Sequence, residues 1–312
     1  MKKNRTIRTL CGLIGLAVLL QHSFQLAVRA QSDATAVQAT TKEKQPISEA
    51  EQKLAEAIKR VEKLEWIQAG IRQTMNVGGR KFLATGRHLQ GPELRLRREL
   101  NVAIGKTSSS ILEICDGETL FLKQQIDESI DLKEVAVNDV LEAIDDAKLT
   151  DQRSRWLREL GLTNLGDYLR GLEQTHRFDT VEQGTWEGNA VFILHGRWKP
   201  EAVETVAIKP RRPDDAAGET DEEDPKPVIL PATVPDEVIC YLGADNGVPY
   251  KVVFQKVAPR GKRIDLAIIE LTDVVIGQPI DQREFDYIAP TESVNLTDQF
   301  ITRIQVEGID SE

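Results

Sequence analysis

Histidines, cysteines and clustered acids are the side chains with which this chain could ligate a metal, activate a nucleophile or pass a proton. Beyond residue 30 the histidines are His88, His176 and His195, and none stands at metal-ligand spacing from another or from a cysteine. No H-E-x-x-H, Walker A, G-x-S-x-G or dinucleotide-binding glycine pattern is present. His88 and His195 sit in strand-like runs beside Arg87 and Arg197 and read as surface or rim residues. The acids from Glu134 to Asp146 are dispersed around a helix, which makes a solvated face rather than a pair of working carboxylates. Those from Asp214 to Asp224 do not set a glycine and a closing glutamate at the spacing of a calcium loop. The expectation is therefore a protein with no catalytic set, no metal and no cofactor.

Cys115 and Cys240 are the cysteines outside the first thirty residues. A bridge between them would close a long loop and stabilise by about 4–5 kcal/mol. Both lie in apolar strand-like runs, where a small buried thiol is an ordinary core residue, and that reading is preferred. No C-x-x-C pair supports thioredoxin-type redox chemistry.

The elements that must position these residues begin after a targeting segment. Met1 to Arg8 is basic, Leu10 to Leu20 is apolar, and Val28-Arg29-Ala30 supplies small residues before a cut, so 1–30 reads as a secretory signal peptide cleaved after Ala30. The apolar run stops at Gln21-His22, short of the ~20 residues that a spanning helix needs. Residues 31–48 are a polar leader, and an oxidising compartment outside the cytoplasm is the expected destination.

Ser48 and Glu51 form a capping box before Leu54, Ile58, Val61 and Leu64, the apolar stripe of an opening helix. From Trp66 the period changes to two. Ile67, Ala69, Ile71 and Met75 share one strand face, Leu94, Leu96, Leu100, Val102 and Ile104 another, and Asp116-Gly117 turns Ile111–Cys115 into Thr119–Leu122. From Asp131 the pattern reads as helical through Val137, Val140, Leu141 and Ile144, followed by helices around Trp156 and Leu169. Strands return at Arg177–Glu187, Asn189–Lys199, Glu237–Leu242, Pro249–Val257 and Arg263–Ile276, interrupted by an acidic Pro-rich insertion at 210–235. With no βαβ alternation, the fold class is α+β, a curved antiparallel sheet wrapped around helices.

Fifty acids against forty basic residues give a net charge of −10, which becomes −15 once the five basic residues of the signal are removed. That excludes a broad nucleic-acid footprint. Aromatic residues are only 5%, so any large apolar surface must be aliphatic. Strands such as Ile111–Cys115 and Leu266–Ile269 are apolar on both sides, as in a two-sided core or a sheet with a hydrophobic cavity on one face.

Several motifs, in order, resemble the periplasmic outer-membrane lipoprotein carrier family, LolA-like and LolB-like. They are the opening helix with Trp66–Asn76, the corner from Gly86 to Pro92 with Glu93-Leu94, the turn Cys115-Asp116-Gly117-Glu118-Thr119-Leu120-Phe121, and the tail Ile280 to Pro290 followed by Val294 and Asp298. The resemblance spans Glu49 to Phe300 and implies one carrier domain at 49–305, a half-open incomplete barrel with helices as its lid. It implies a soluble periplasmic, non-enzymatic carrier that binds lipoprotein acyl chains or related lipids and moves them towards the outer membrane. An inner-membrane release complex and an outer-membrane acceptor would be its partners, and the carrier would be a monomer.

On this reading the cavity would be lined by Leu94, Leu96, Leu100, Leu112, Ile114, Leu120, Leu122, Phe192, Leu194, Phe254, Leu266 and Ile268. Val137, Leu141, Ile144 and Trp156 would form the lid. The family ties its lid to the barrel through an arginine, but the matching position here is Gly91. Arg87, Arg95 and Arg97 are the candidate substitutes. The same fold also resembles lipid-sensing modules of envelope-stress regulators, which is the alternative. An enzyme acting on lipid or glycan is the third and weakest class.

Overall fold

The computed structural model describes residues 47–104, 107–206, 230–290 and 292–310. The signal segment, most of the leader and most of the 210–235 insertion lie outside the described residues.

The first helix, α1 (Glu49–Val61), begins at the expected capping box: Ser48 Oγ accepts from the Glu51 amide at 3.0 Å, and Glu51 answers at the Ser48 amide. Its apolar stripe, Leu54, Ile58 and Val61, is buried. Six strands follow: β1 (Ile67–Val77), β2 (Arg80–Gln90), β3 (Leu96–Ile104), β4 (Thr107–Cys115), β5 (Thr119–Ile126) and β6 (Ser129–Ala136). Gly78 and Gly79, both in the left-handed region, make the two-residue turn between β1 and β2. At the β4–β5 turn Gly117 has φ 109°, and Asp116 Oδ1 accepts from both the Glu118 and Thr119 amides.

Three helices come next, α2 (Val137–Asp146), α3 (Arg153–Leu160) and α4 (Leu165–Thr175). Residues 131–136 are strand rather than the start of a helix: β6 pairs with β5 along its length, and the helical period begins only at Val137. The turn at Asp127-Glu128 contains no glycine or proline, which hid the hairpin from a reading based on turn residues. The chain then forms β7 (His176–Trp186), β8 (Asn189–Trp198), the short α5 (Pro200–Val206), β9 (Glu237–Gly243), β10 (Pro249–Val257), β11 (Arg263–Ile276), β12 (Val294–Asn295) and α6 (Thr297–Asp310).

The strands form one open twelve-stranded sheet in the order β12-β6-β5-β4-β3-β2-β1-β11-β10-β9-β8-β7. All pairings are antiparallel except the two-residue parallel contact of β12 with β6, so the sheet is mixed by that one addition. The architecture is the expected α+β one, an unclosed sheet with helices on its inner face. Two apolar cores divide that face. The first gathers β1, β7–β11, α1 and α4 around Leu54, Phe178, Leu194 and Phe254. The second gathers β3–β6, α2, α3 and α6 around Leu120, Ile144, Trp156 and Ile304.

Candidate functional site

Strand alternation puts Ile71, Leu100, Val252, Phe254, Ala267 and Leu271 on the inner face, where they floor a cavity of about 180 Å³. The roof is α3, the loop Gly161–Asn164 and the start of α4. Its inward residues are mostly charged or small: Arg155, Arg158, Gly161, Asp167 and Gly171, with Leu165 and Tyr168.

Between floor and roof runs a polar row that only register creates. His88 on β2 stands opposite Arg98 on β3, and Arg98 stands opposite Glu113 on β4. Arg98 Nη1 lies 2.7 Å from Glu113 Oε2, and its Nη2 donates to the Thr163 carbonyl in the roof loop at 3.1 Å. One residue pair along, Gln90 Oε1 accepts from the Leu165 amide at 3.2 Å. The sheet therefore holds the roof at the C-terminal end of its loop, where α4 begins. Asn164 caps α4 by accepting from the Asp167 amide, and Gly161 at φ 88° closes α3, which fixes where the loop begins and ends.

Electrostatics follow from burial. His88 is 2% exposed, not a surface or rim residue, because it falls on the inward parity of β2 with Ala84 and Gln90. Burial and the adjacent Arg98 charge lower its pKa to about 3, so the ring is neutral. Burial raises the Asp167 carboxyl and the Tyr168 phenol and lowers the Arg158 guanidinium. Cys115 and Cys240 are free thiols, both buried, with Cys115 pushed up to about 11 and Cys240 raised further. His195 is half exposed, as its reading required. Among the described residues no group of three His, Cys, Asp or Glu side chains is placed to hold a metal.

Of the twelve residues expected to line the cavity, Leu100 and Phe254 do. Leu96 and Leu120 are buried in the second core, with Leu94 and Leu122 packed against it; Leu94 sits at φ 63° in the corner after Pro92. Leu194 belongs to the first core and Phe192 packs against it. Leu112, Ile114, Leu266 and Ile268 alternate with inward neighbours and stand on the outer face, Ile114 fully buried there. The expected lid residues Val137, Ile144 and Trp156 are fully buried in the second core and Leu141 packs against it, so α2 seals that core while α3 and α4 cover the cavity.

The three candidate latch arginines point elsewhere. Arg87 and Arg97 share Glu99 and hold the tail turn Gln282–Phe285: Arg87 pairs with Glu284 at 2.9 Å and Arg97 donates to the Glu284 carbonyl at 2.7 Å. Arg95 pairs with Glu93. Gly91 could not carry an arginine without rearrangement, since a Cβ there would lie 2.9 Å from the Trp66 ring. The arginine that ties the roof loop to the sheet, beside Gln90, is Arg98, one position beyond the candidates and on the opposite face. Its signal was an arginine at the inward parity between Leu96 and Leu100, matched by Glu113 between Ile111 and Cys115.

No family model matches the chain, and no curated protein matches it. Solved structures do. MucB is similar over 79% of this chain and 66% of its own, at 10% identity and a TM-score of 0.38. A LolA superfamily protein from Nitrosomonas europaea is similar over 76% of this chain and 97% of its own, at 9% identity and TM-score 0.27. The Mycobacterium tuberculosis lipoprotein LppX is similar over 74% and 97%, at 9% identity and TM-score 0.28. The chain thus spans just under two-thirds of the MucB structure it matches. Likenesses at this level do not say what the chain binds; the cavity has to.

Proposed function

We propose that the protein is a periplasmic lipid carrier that takes acyl chains of lipoproteins or related lipids into the cavity under α3 and α4 and passes them towards the outer membrane. The observation that supports this reading is a partly covered aliphatic floor beneath a roof whose side chains do not fill the space above it. In water each exposed methylene costs about 0.8 kcal/mol, so an acylated cargo needs cover while it moves between membranes. The hydrogen bonds that join the roof loop to the strands below, from Arg98 to Thr163 and from Leu165 to Gln90, contribute about 0.5–1.5 kcal/mol each. Lifting α3 and α4 also uncovers Trp156, Leu160, Leu169 and Leu172, at about 1.5–3 kcal/mol each, so burial of about a dozen methylenes, a whole acyl chain, is needed to offset opening, and repacking these side chains on release returns the carrier to its closed state.

Size makes opening obligatory. A cavity of about 150 Å³ accepts a benzene-sized group, so the closed space here admits one short alkyl segment and several chains require the α3–α4 roof to lift. Aliphatic walls hold such chains without fixed register, which suits loading and release. No helix among the described residues is long and apolar enough to cross a membrane. The net charge of the chain repels anionic membrane surfaces, which favours a diffusing carrier.

The test is native mass spectrometry of protein purified from its own envelope, with lipid extraction, beside an uptake assay with a triacylated peptide. Co-purified acyl lipid and uptake are expected. In Ala267→Leu, which fills the floor at a cost of about 1 kcal/mol, uptake should fall at least tenfold. A wild-type protein that carries no lipid and takes up no peptide would sink the reading.

A further inference from the structure

Among the polar atoms facing the cavity, His88 Nε2 has no hydrogen-bond partner although the side chain is 2% exposed. The surrounding sheet cannot supply one. Across the ladder His88 faces Ala69, which has no polar side chain, and Arg98, whose guanidinium is committed to Glu113 and the Thr163 carbonyl. Gln90, two residues along the same face, spends its Oε1 on the Leu165 amide. Leaving a buried imidazole nitrogen unmet costs stability, and a leucine of similar size would remove that cost. The feature makes sense if the occupant of the cavity completes it.

Charge says what the occupant's polar end must be. Arg98, Arg155 and Arg158 line the cavity together with Glu113, Glu159 and Asp167, so the walls balance. A carboxylate or phosphate drawn into this space would bring an uncompensated buried charge. An uncharged hydrogen-bonding head brings none.

We propose that the cavity takes its acyl or alkyl ligand in one orientation, with an uncharged hydroxyl or amide head on His88 Nε2 and the chain over Leu100, Phe254 and Leu271. This rests on the carrier reading and adds a specificity-determining residue to it. A hydroxyl or amide both donates and accepts, so it satisfies the nitrogen in either tautomer of the neutral ring. The polar row would then set which end of the ligand lies under the Thr163 loop.

The experiment compares 1-octanol, 1-chlorooctane and octanoate binding to wild type, His88→Leu and His88→Gln, by calorimetry, with 15N spectra of labelled histidine in the wild type. Octanol affinity should fall about three- to tenfold in His88→Leu, the loss of one hydrogen bond, and recover in His88→Gln. Chlorooctane should bind both variants as it binds wild type, which also shows that they are folded, and octanoate should bind more weakly than octanol. The His88 Nε2 resonance should move on adding octanol. Equal octanol affinity in wild type and His88→Leu, an unmoved resonance, or tighter octanoate binding would overturn the head-group inference and leave the carrier reading standing. Failure of octanol and chlorooctane alike to bind wild type would overturn both.

Discussion

The inner face of the sheet is sealed over β5 and β6 and left open over β1, β10 and β11, although both halves present the same kind of alternating aliphatic strand. Over the sealed half, α2, α3 and α6 lower Ile144, Trp156, Leu160 and Ile304 onto Leu120 and Val135, and all of these are buried. Over the open half the same α3, on its other side, turns Arg155, Arg158 and Glu159 downward, and α4 adds Gly171. Charged or absent side chains cannot fill the space above Leu100 and Phe254. A cavity here is thus a property of the roof, not of the floor, and α3 serves both halves at once: its Trp156 anchors the second core, with the Arg155 and Arg303 guanidinium groups about 5 Å from its ring.

The sharpest way to break this contrast is Trp156→Ala. Removing the largest fully buried side chain of the sealed half should cost about 3–5 kcal/mol in denaturant unfolding. A loss under 1 kcal/mol would mean that the half is not sealed as described. Next is Arg98→Leu, which strands Glu113 and frees the Thr163 carbonyl. The pair is mostly but not wholly buried, so the expected cost is about 2–3 kcal/mol, less than for a fully buried pair. Amide exchange should quicken at 161–165 and not at 137–144. The double variant Arg98→Leu with Glu113→Leu should recover most of the stability while the loop stays fast.

Acid offers a third probe. Burial holds His88 and His176 near pKa 3, against 6.5 for the free ring. Between those values the unfolded chain binds protons that the folded one refuses. Stability is therefore complete above about pH 6.5 and falls towards pH 3, by about 1.4 kcal/mol per pH unit for each histidine. His88→Leu should halve the histidine part of that slope in denaturation midpoints measured across the window. The smallest effect belongs to the outer face: Arg87→Leu removes half-exposed pairs with Glu99 and Glu284 and should cost under about 1 kcal/mol, with octanol binding unchanged. A larger change in binding would place the tail turn in the lid's mechanism.

Much of the architecture was legible in the chain. The capping box, the Gly78-Gly79 and Asp116-Gly117 turns, the strand runs after Trp66 and the absence of βαβ order are local signals, and the elements they name are present. The hairpin into β6 was not legible, because its turn is built from Asp127-Glu128. The site was legible only in part. Leu100 and Phe254 do face the cavity, but on β4 and β11 the apolar character of both faces removes the alternation that tells inside from outside. Ile111 and Glu113, not Leu112 and Ile114, point inward there. Likewise Ala267 and Ile269, not Leu266 and Ile268, floor the cavity.

What the sequence by itself determined is therefore the menu: an α+β class with an antiparallel sheet, aliphatic strand faces, and cysteines in apolar runs where a buried thiol is expected. Periodicity and capping act over a few residues, and a few residues suffice to encode them. Only the tertiary structure decided that His88, Arg98 and Glu113 fall in one row, that α3 and not α2 roofs the cavity, and that Arg98 reaches Thr163. Those facts depend on cross-strand register and on which helix face meets which strands. A shift of one residue in any ladder would send the row to opposite faces without changing a letter of the sequence.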